Sequence, residues 1–231
     1  MPAATLRELL ERNARHTDAL PADQFDAVQE GQFPSLVSVC CSDSRVSQEG
    51  MFDVTEPGWL FTPSTIGNTV WDRQDGQRVA DGSVLYPTVA TDTTVVAVVG
   101  HTGCGAVTAA LDVVRGEATL GEFPPGIATR LDELVPVVED GLADDRVDPD
   151  AAASLVDQLV EYNVERQVEF LLESPDVPEA TTVYGFVYDF QAVYGDVRGR
   201  TYLVAADGET DPERLRGEVP PAFDAWVRGL L

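Results

Sequence analysis

Apolar positions fall into runs along this chain, and the spacing within each run predicts an element. "SLVSVC" (35–40) and "TVVAVVG" (94–100) are apolar and β-branched at consecutive positions. That pattern belongs to strands covered on both faces in a parallel sheet. "TTVYGFVYDF" (181–190) reads as a third strand and "GWLFTP" (58–63) as a fourth. Between the strands the apolar positions take a helical period. "GAVTAALDVVRGE" opens directly after Cys104, and "GIATRLDELVPVVEDGLA" follows, with Pro136 expected to kink or end it. A third helical pattern occupies 148–175, with Asp148 and Pro149 as cap and first-turn residues and Pro175 as a stop. Leu155, Leu159, Tyr162, Val168, Leu171 and Leu172 keep one face of it apolar.

The first twenty residues form an amphipathic helical arm, and "AVYGDVRGRTYLVAA" (192–206) reads as a hairpin-like edge with Gly195 and Gly199 near its turn. The acidic stretch 139–150 is expected to be a loop, not a boundary between domains. Strands alternating with helices, without repeats or linkers, predict a single α/β domain over residues 1–231. Its central sheet is mainly parallel and flanked by helices, with the arm at one end and the edge hairpin at the other.

Charge changes this picture. Forty acidic residues stand against fifteen basic ones, a net charge of −25, and every basic residue is arginine. With 44% hydrophobic residues the chain has a core to bury, so it is not a disordered acidic tail. A field of this sign repels phosphate, which makes nucleic acid and anionic membranes poor partners. The simplest reading of the charge is a halophilic protein, because the Debye length shrinks to about 3 Å at 1 M salt and screens the self-repulsion. No stretch has the apolar length of a signal peptide core or a membrane span. The expected location is therefore cytoplasmic. Three cysteines, an odd number, argue against a disulfide framework.

The chemistry gathers where two strands end. In open α/β sheets, ligands bind beyond the carboxyl ends of the strands. The first strand runs into "CCSDSRV", placing Cys41, Asp43 and Arg45 at alternate positions, so an extended backbone would point all three the same way. The second runs into His101, with Cys104 at the start of the next helix. If the two strands are neighbours, Cys41, His101 and Cys104 converge. Two thiolates and an imidazole suit one zinc ion per chain and leave a fourth position open for water. Cys40 points to the opposite face and is expected in the core, while His16 is expected to be a solvated arm residue.

"CSDSR" followed some sixty residues later by "HTGCG" resembles the β-class carbonic anhydrases, whose signature is Cys-x-Asp-x-Arg and then His-x-x-Cys. "GQFPSLVSVCCSDSRV", "GSVLYPTVATDTTVVAVVGHTGCGAV", "YNVERQVEFLLESP" and "VYGFVYDF" resemble family blocks in family order, over most of residues 31 to 190. The resemblance implies reversible hydration of carbon dioxide to bicarbonate and a proton, by a zinc-bound hydroxide that an Asp–Arg dyad orients. Position by position it makes Cys41, His101 and Cys104 the zinc ligands and Asp43 and Arg45 the dyad. Gln32, Phe61, Ile66, Gly67 and Tyr86 match substrate positions of the plant-like branch, whose pocket lies at the interface of a homodimer or higher oligomer. Ser64 stands where the family commonly has arginine, which removes a guanidinium that would contact an anion. The same pocket positions imply that Asp43 stays on Arg45 near neutral pH and does not bind zinc itself. A hydrolase of carbonyl sulfide or carbon disulfide on the same scaffold is an alternative; so is a zinc-binding assembly module without catalysis.

Overall fold

The computed structural model describes residues 3–231. Thr5 caps the first helix, α1 (Leu6–Ala19), by accepting from the Glu8 backbone N–H, and no residue of that helix is buried. The chain then enters β1 (Leu36–Cys41), a short helix α2 (Gln48–Met51) and two-residue strands β2 (Leu60–Phe61) and β3 (Ser64–Thr65). A hairpin, β4 (Trp71–Gln74) with β5 (Gln77–Ala80), leads to α3 (Gly82–Ala90) and β6 (Val95–His101). Helices α4 (Gly105–Val114), α5 (Pro125–Ala143) and α6 (Leu155–Glu173) follow, then β7 (Thr182–Asp189), β8 (Arg200–Ala206) and α7 (Pro212–Glu218).

The main sheet runs β2–β1–β6–β7–β8, with β3 beside the C-terminal end of β1. β1, β6 and β7 are parallel, in a register that sets Cys40 opposite Val99 and His101 opposite Tyr188. β8 returns antiparallel along β7 and forms the expected edge. The single α/β domain and the mainly parallel sheet are as the pattern predicts. Val37, Val39, Val96, Val98 and Val183 pack on one face with residues of α4, α5 and α6. Cys40, Ala97 and Val99 pack on the other with Met51 and Phe52. Full burial of such a side chain stabilises the fold by roughly 1.5–3 kcal/mol, so both strand faces must be apolar.

Several boundaries differ from expectation. Pro136 does not end its helix: α5 continues to Ala143. A proline inside a helix costs about 3 kcal/mol, and burial of Leu131, Leu134, Val137 and Val138, on a helix packed against α4 and α6, offsets it. That continuation also moves the start of the acidic loop from 139 to Asp144. α6 does not begin at Asp148. Ser154 is its cap, accepting from the Asp157 N–H, while the Asp148 carboxylate accepts from the Asp150 N–H in a separate turn. The β4–β5 hairpin was not anticipated, although Asp75 and Gly76 supply the two positive φ angles, 52° and 81°, that a tight hairpin turn needs. Of the expected arm over 1–20, the helix covers Leu6–Ala19, and residues 1–2 lie outside the described residues.

Candidate metal centre

Cys41 is the last residue of β1, His101 the last of β6, and Cys104 the residue just before α4. The parallel β1–β6 pairing brings these strand ends together, as the sequence expects. Between the second and third of them, Gly103 takes φ +61°, a turn that other residues rarely adopt. Cys41 Sγ lies 3.8 Å from Cys104 Sγ. One donor atom from each of the three residues lies within 4.8 Å of the other two, and all three residues are buried. His101 is fully buried, and its Nε2 has no hydrogen-bond partner. An orphaned imidazole nitrogen beside two thiols is costly unless something accepts its lone pair. The donor set fits zinc, for which two sulfurs and one nitrogen make a three-ligand site.

The thiols are not equivalent. The Cys104 S–H group stabilises the Cys41 thiolate, and with help from His101 and the Gly67 backbone N–H it holds Cys41 down at about 5 despite burial. Cys104 moves the opposite way, because it shares the Cys41 charge and is itself buried. Burial pulls His101 down, but attraction to the Cys41 thiolate outweighs it and the net direction is up. Cys40, on the far face, is pushed up to about 12 by burial, as a core thiol should be.

Asp43 and Arg45 do not extend the strand. β1 stops at Cys41, and a turn closed by the Val46 N–H on the Asp43 carbonyl folds Arg45 back onto Asp43. The expected alternation along an extended backbone does not hold for these two side chains, because a turn aims them. Arg45 Nε donates to Asp43 Oδ1 at 2.9 Å and Nη2 to Oδ2 at 2.6 Å. These bonds hold the Asp43 carboxyl well below the usual carboxylate range. Arg45 also donates to the Gly103 carbonyl at 3.2 Å and stacks 4.5 Å over the Phe190 ring. Asp43 Oδ2 lies 3.7 Å from His101 Nε2, at the edge of the three-ligand cluster. A cavity of about 250 Å³ opens from Cys41 and Asp43 past Ile66, Ala106 and Phe123.

A profile of the carbonic anhydrase family matches residues 36–195, more than half of the chain. The chain belongs to the carbonic anhydrase family. It is 29% identical to carbonic anhydrase 2 of Mycobacterium tuberculosis over 136 residues, which span 56% of this chain and 62% of that protein. It is 28% identical to a carbonic anhydrase of Pseudomonas aeruginosa over 195 residues, 81% of this chain and 84% of the relative. The β-carbonic anhydrase of Coccomyxa superposes with a TM-score of 0.70 at 25% identity, covering 93% of this chain and 92% of that one. The fold is that of the β-class.

Within this carbonic anhydrase fold, the other expected site residues are divided between two places. Ile66 lines the cavity beside Asp43. Gly67 is buried behind it at φ +67°, where a Cβ would come within 2.5 Å of Leu134. Gln32 is exposed, Phe61 and Tyr86 pair with ring centroids 6.3 Å apart, and none of the three lines that cavity. Sequence reasoning missed the polar network under the 64–70 turn. Asn163 donates to the Gly67 carbonyl at 3.0 Å, Gln167 donates to Asn163 Oδ1 at 2.9 Å, and the Val70 N–H donates to Gln167 Oε1 at 2.9 Å. Asn163 and Gln167, four residues apart among the apolar positions Leu159, Val160, Val164 and Val168, are the signal that points to it. Ser64, in the arginine position, accepts from Gln48 Nε2 at 2.9 Å.

Proposed function

We propose that this chain catalyses reversible hydration of carbon dioxide with one zinc ion held by Cys41, His101 and Cys104. The observation that carries the reading is the placement of an Arg45-held carboxylate 3.7 Å from the orphaned His101 Nε2, at the mouth of a small, largely apolar cavity. Zinc, when bound, supplies Lewis acidity that brings a coordinated water from a pKa of 15.7 to about 7. Asp43, kept ionised by Arg45, can only accept hydrogen bonds. It holds the hydrogen of the attacking oxygen and so turns a lone pair toward the carbon of the substrate. Arg45 cannot give up its proton, so its part is to fix that carboxylate. Ile66 and Phe123 present apolar surface to a small apolar substrate. His101 is committed to the metal and His16 sits on the exposed arm, so proton transfer to bulk falls to Asp43, Tyr86, water or buffer.

A second copy of the chain belongs to this reading, as do the plant-like pocket and a salt-rich setting. α1 leaves Leu6, Leu9 and Leu10 exposed at 73%, 55% and 62%, and in the loop before β1 Phe33 is exposed at 81%. Apolar surface of this kind marks a contact face, and Gln32, Phe61 and Tyr86 complete a pocket only if a partner brings them to it. No described helix is long and apolar enough to cross a membrane.

The test is stopped-flow carbon dioxide hydration with zinc quantified in the same sample, from dilute to molar salt and beside an assay of carbonyl sulfide hydrolysis. One zinc per chain and hydration activity are expected, both lost in His101→Ala. That variant remaining fully metallated and active would overturn the assignment; sulfide release outpacing hydration would change the substrate.

A further inference from the structure

We propose that Asp157, on α6, is a positioning residue for His101, acting through the single peptide unit that joins Thr102 to Gly103. The inference rests on reading Cys41, His101 and Cys104 as the zinc site. The N–H of that peptide donates to Asp157 Oδ1 at 2.8 Å. Its carbonyl, the Thr102 oxygen, lies 3.0 Å from His101 Nδ1. A carbonyl can only accept, so Nδ1 carries the proton and Nε2 keeps the bare lone pair. That is the nitrogen found buried and unpartnered beside the two sulfurs.

A carboxylate at the N–H end of a peptide polarises it and makes its carbonyl a stronger acceptor. Stronger acceptance at Nδ1 fixes the ring and raises the basicity of the opposite nitrogen toward a metal. Asp157 is built for this task. Its Oδ2 accepts from Ser154 Oγ at 2.6 Å, its own N–H donates to that oxygen at 3.1 Å, and the residue is 5% exposed. Ser154 alone would cap α6, yet the other oxygen of Asp157 reaches a loop 54 residues away. Gly103 makes the reach possible. Its φ is +61°, and a Cβ there would come within 2.6 Å of Gln191. The next peptide is held as well, since the Gly103 carbonyl accepts from Arg45. One glycine thus ties the ligand histidine, the dyad and α6 together.

The experiment uses the full chain loaded with zinc and reads two quantities: zinc affinity by chelator competition, and the proton resonance of the His101 Nδ1–H by NMR. The chain has two histidines, and His16 is exposed, so a slowly exchanging ring N–H belongs to His101. Asp157→Ala should weaken zinc binding about 10–100-fold and move the resonance upfield. Asp157→Asn keeps an acceptor but not the charge, and should fall between Ala and wild type in both readouts. It also carries the test should the alanine variant fail to fold. Asp211→Ala removes the cap of α7, whose carboxylate accepts from the Glu213 N–H, and controls for loss of stability alone. It should move neither readout. Wild type that binds no zinc would overturn the ligand assignment itself. Wild type that binds zinc, with both Asp157 variants within about twofold and their resonances in place, would overturn the role of Asp157 alone.

Discussion

Asp43 and Glu161 are both carboxylates in the folded interior or at its edge, and their surroundings drive them apart. Asp43 faces Arg45 in a two-bond clasp and is held far down. Glu161, on α6 and 2% exposed, meets only neutral donors: Tyr194 Oη at 2.6 Å, the Leu230 backbone N–H at 2.8 Å and the Leu231 N–H at 3.4 Å. Burial pushes it up to about 7 against those hydrogen bonds, with Glu165 adding repulsion. Glu133, 3% exposed, shows the third possibility, with Arg73, Arg78 and the Trp71 N–H all on its two oxygens. In a chain with fifteen arginines for forty acids, the place of each cation matters more than depth of burial. An arginine beside Asp43 keeps an acceptor charged at the mouth of the site. Leaving Glu161 without one makes it a carboxyl that neutralises within the physiological range.

The largest effect that would break this contrast lies at the mouth. Asp43→Asn should keep zinc but lower turnover by about 10²–10⁴, the usual worth of a placed proton acceptor. On the proposed mechanism the amide would donate where the carboxylate could only accept, and would turn the attacking oxygen the wrong way. Steady-state hydration with metal analysis checks this, and unchanged turnover would remove Asp43 from the chemistry. Next comes Glu161. Its folded value near 7 lies above its ordinary 4.5, so between them the native state holds a proton that the unfolded chain lacks. Stability from this group is full below about 4.5, falls as pH rises through the window and is gone above about 7, a span of about 3 kcal/mol. Glu161→Gln should flatten that slope and stabilise the protein at pH 8, as read by denaturant unfolding from pH 4.5 to 8. A wild-type profile already flat there would show that Tyr194 and the Leu230 amide suffice to keep Glu161 charged.

Much of this was legible because it rests on patterns of single residue types. Consecutive β-branched runs pointed to β1 and β6 but left open whether they are neighbours; their parallel pairing in the fold meets that condition and brings Cys41, His101 and Cys104 together. What did not show was anything settled by competing local energies. Pro136 looks like a helix stop until the four buried residues around it are counted. Asp148 and Ser154 are both good caps, and only the chain's path shows that Ser154 takes the helix while Asp148 makes a turn. Asp157 was invisible for a related reason. Its role depends on a partner 54 residues away, and no local period encodes that distance. Gln32, Phe61 and Tyr86 mark a further limit: none of them lines the cavity beside Asp43 within one chain, and the pocket proposed for them needs a second copy.

In Arg45→Gln the clasp on Asp43 is gone, so its carboxyl should return toward the ordinary range. In the wild type that depressed value contributes stability above the unfolded value of 3.8, and the contribution is lost as pH falls below it. The variant should lack this share, about 1 kcal/mol after solvent screening of a half-exposed arginine. Acid unfolding between pH 5 and 2, about the range where an ordinary carboxyl titrates, should therefore be shallower. A slope as steep as wild type would mean that other groups set Asp43's charge.

The smallest effect concerns the many acids that have no arginine. Added salt works on the surface in two opposed ways. It weakens exposed pairs such as Arg12–Glu8 at 2.9 Å and Arg7–Glu11 at 3.9 Å on α1. Each such helix pair contributes about 0.3–0.5 kcal/mol, so their loss is modest. It also screens repulsion within a net charge of −25, which acts over the whole surface and outnumbers the pairs. The second effect should win. A gain of about 1 kcal/mol corresponds to a rise in Tm of about 2–4 °C for a chain of this size. Thermal melting in dilute and in molar potassium chloride measures the sign directly. A Tm that falls with salt would mean that the arginines, few as they are, already neutralise the surface where it matters.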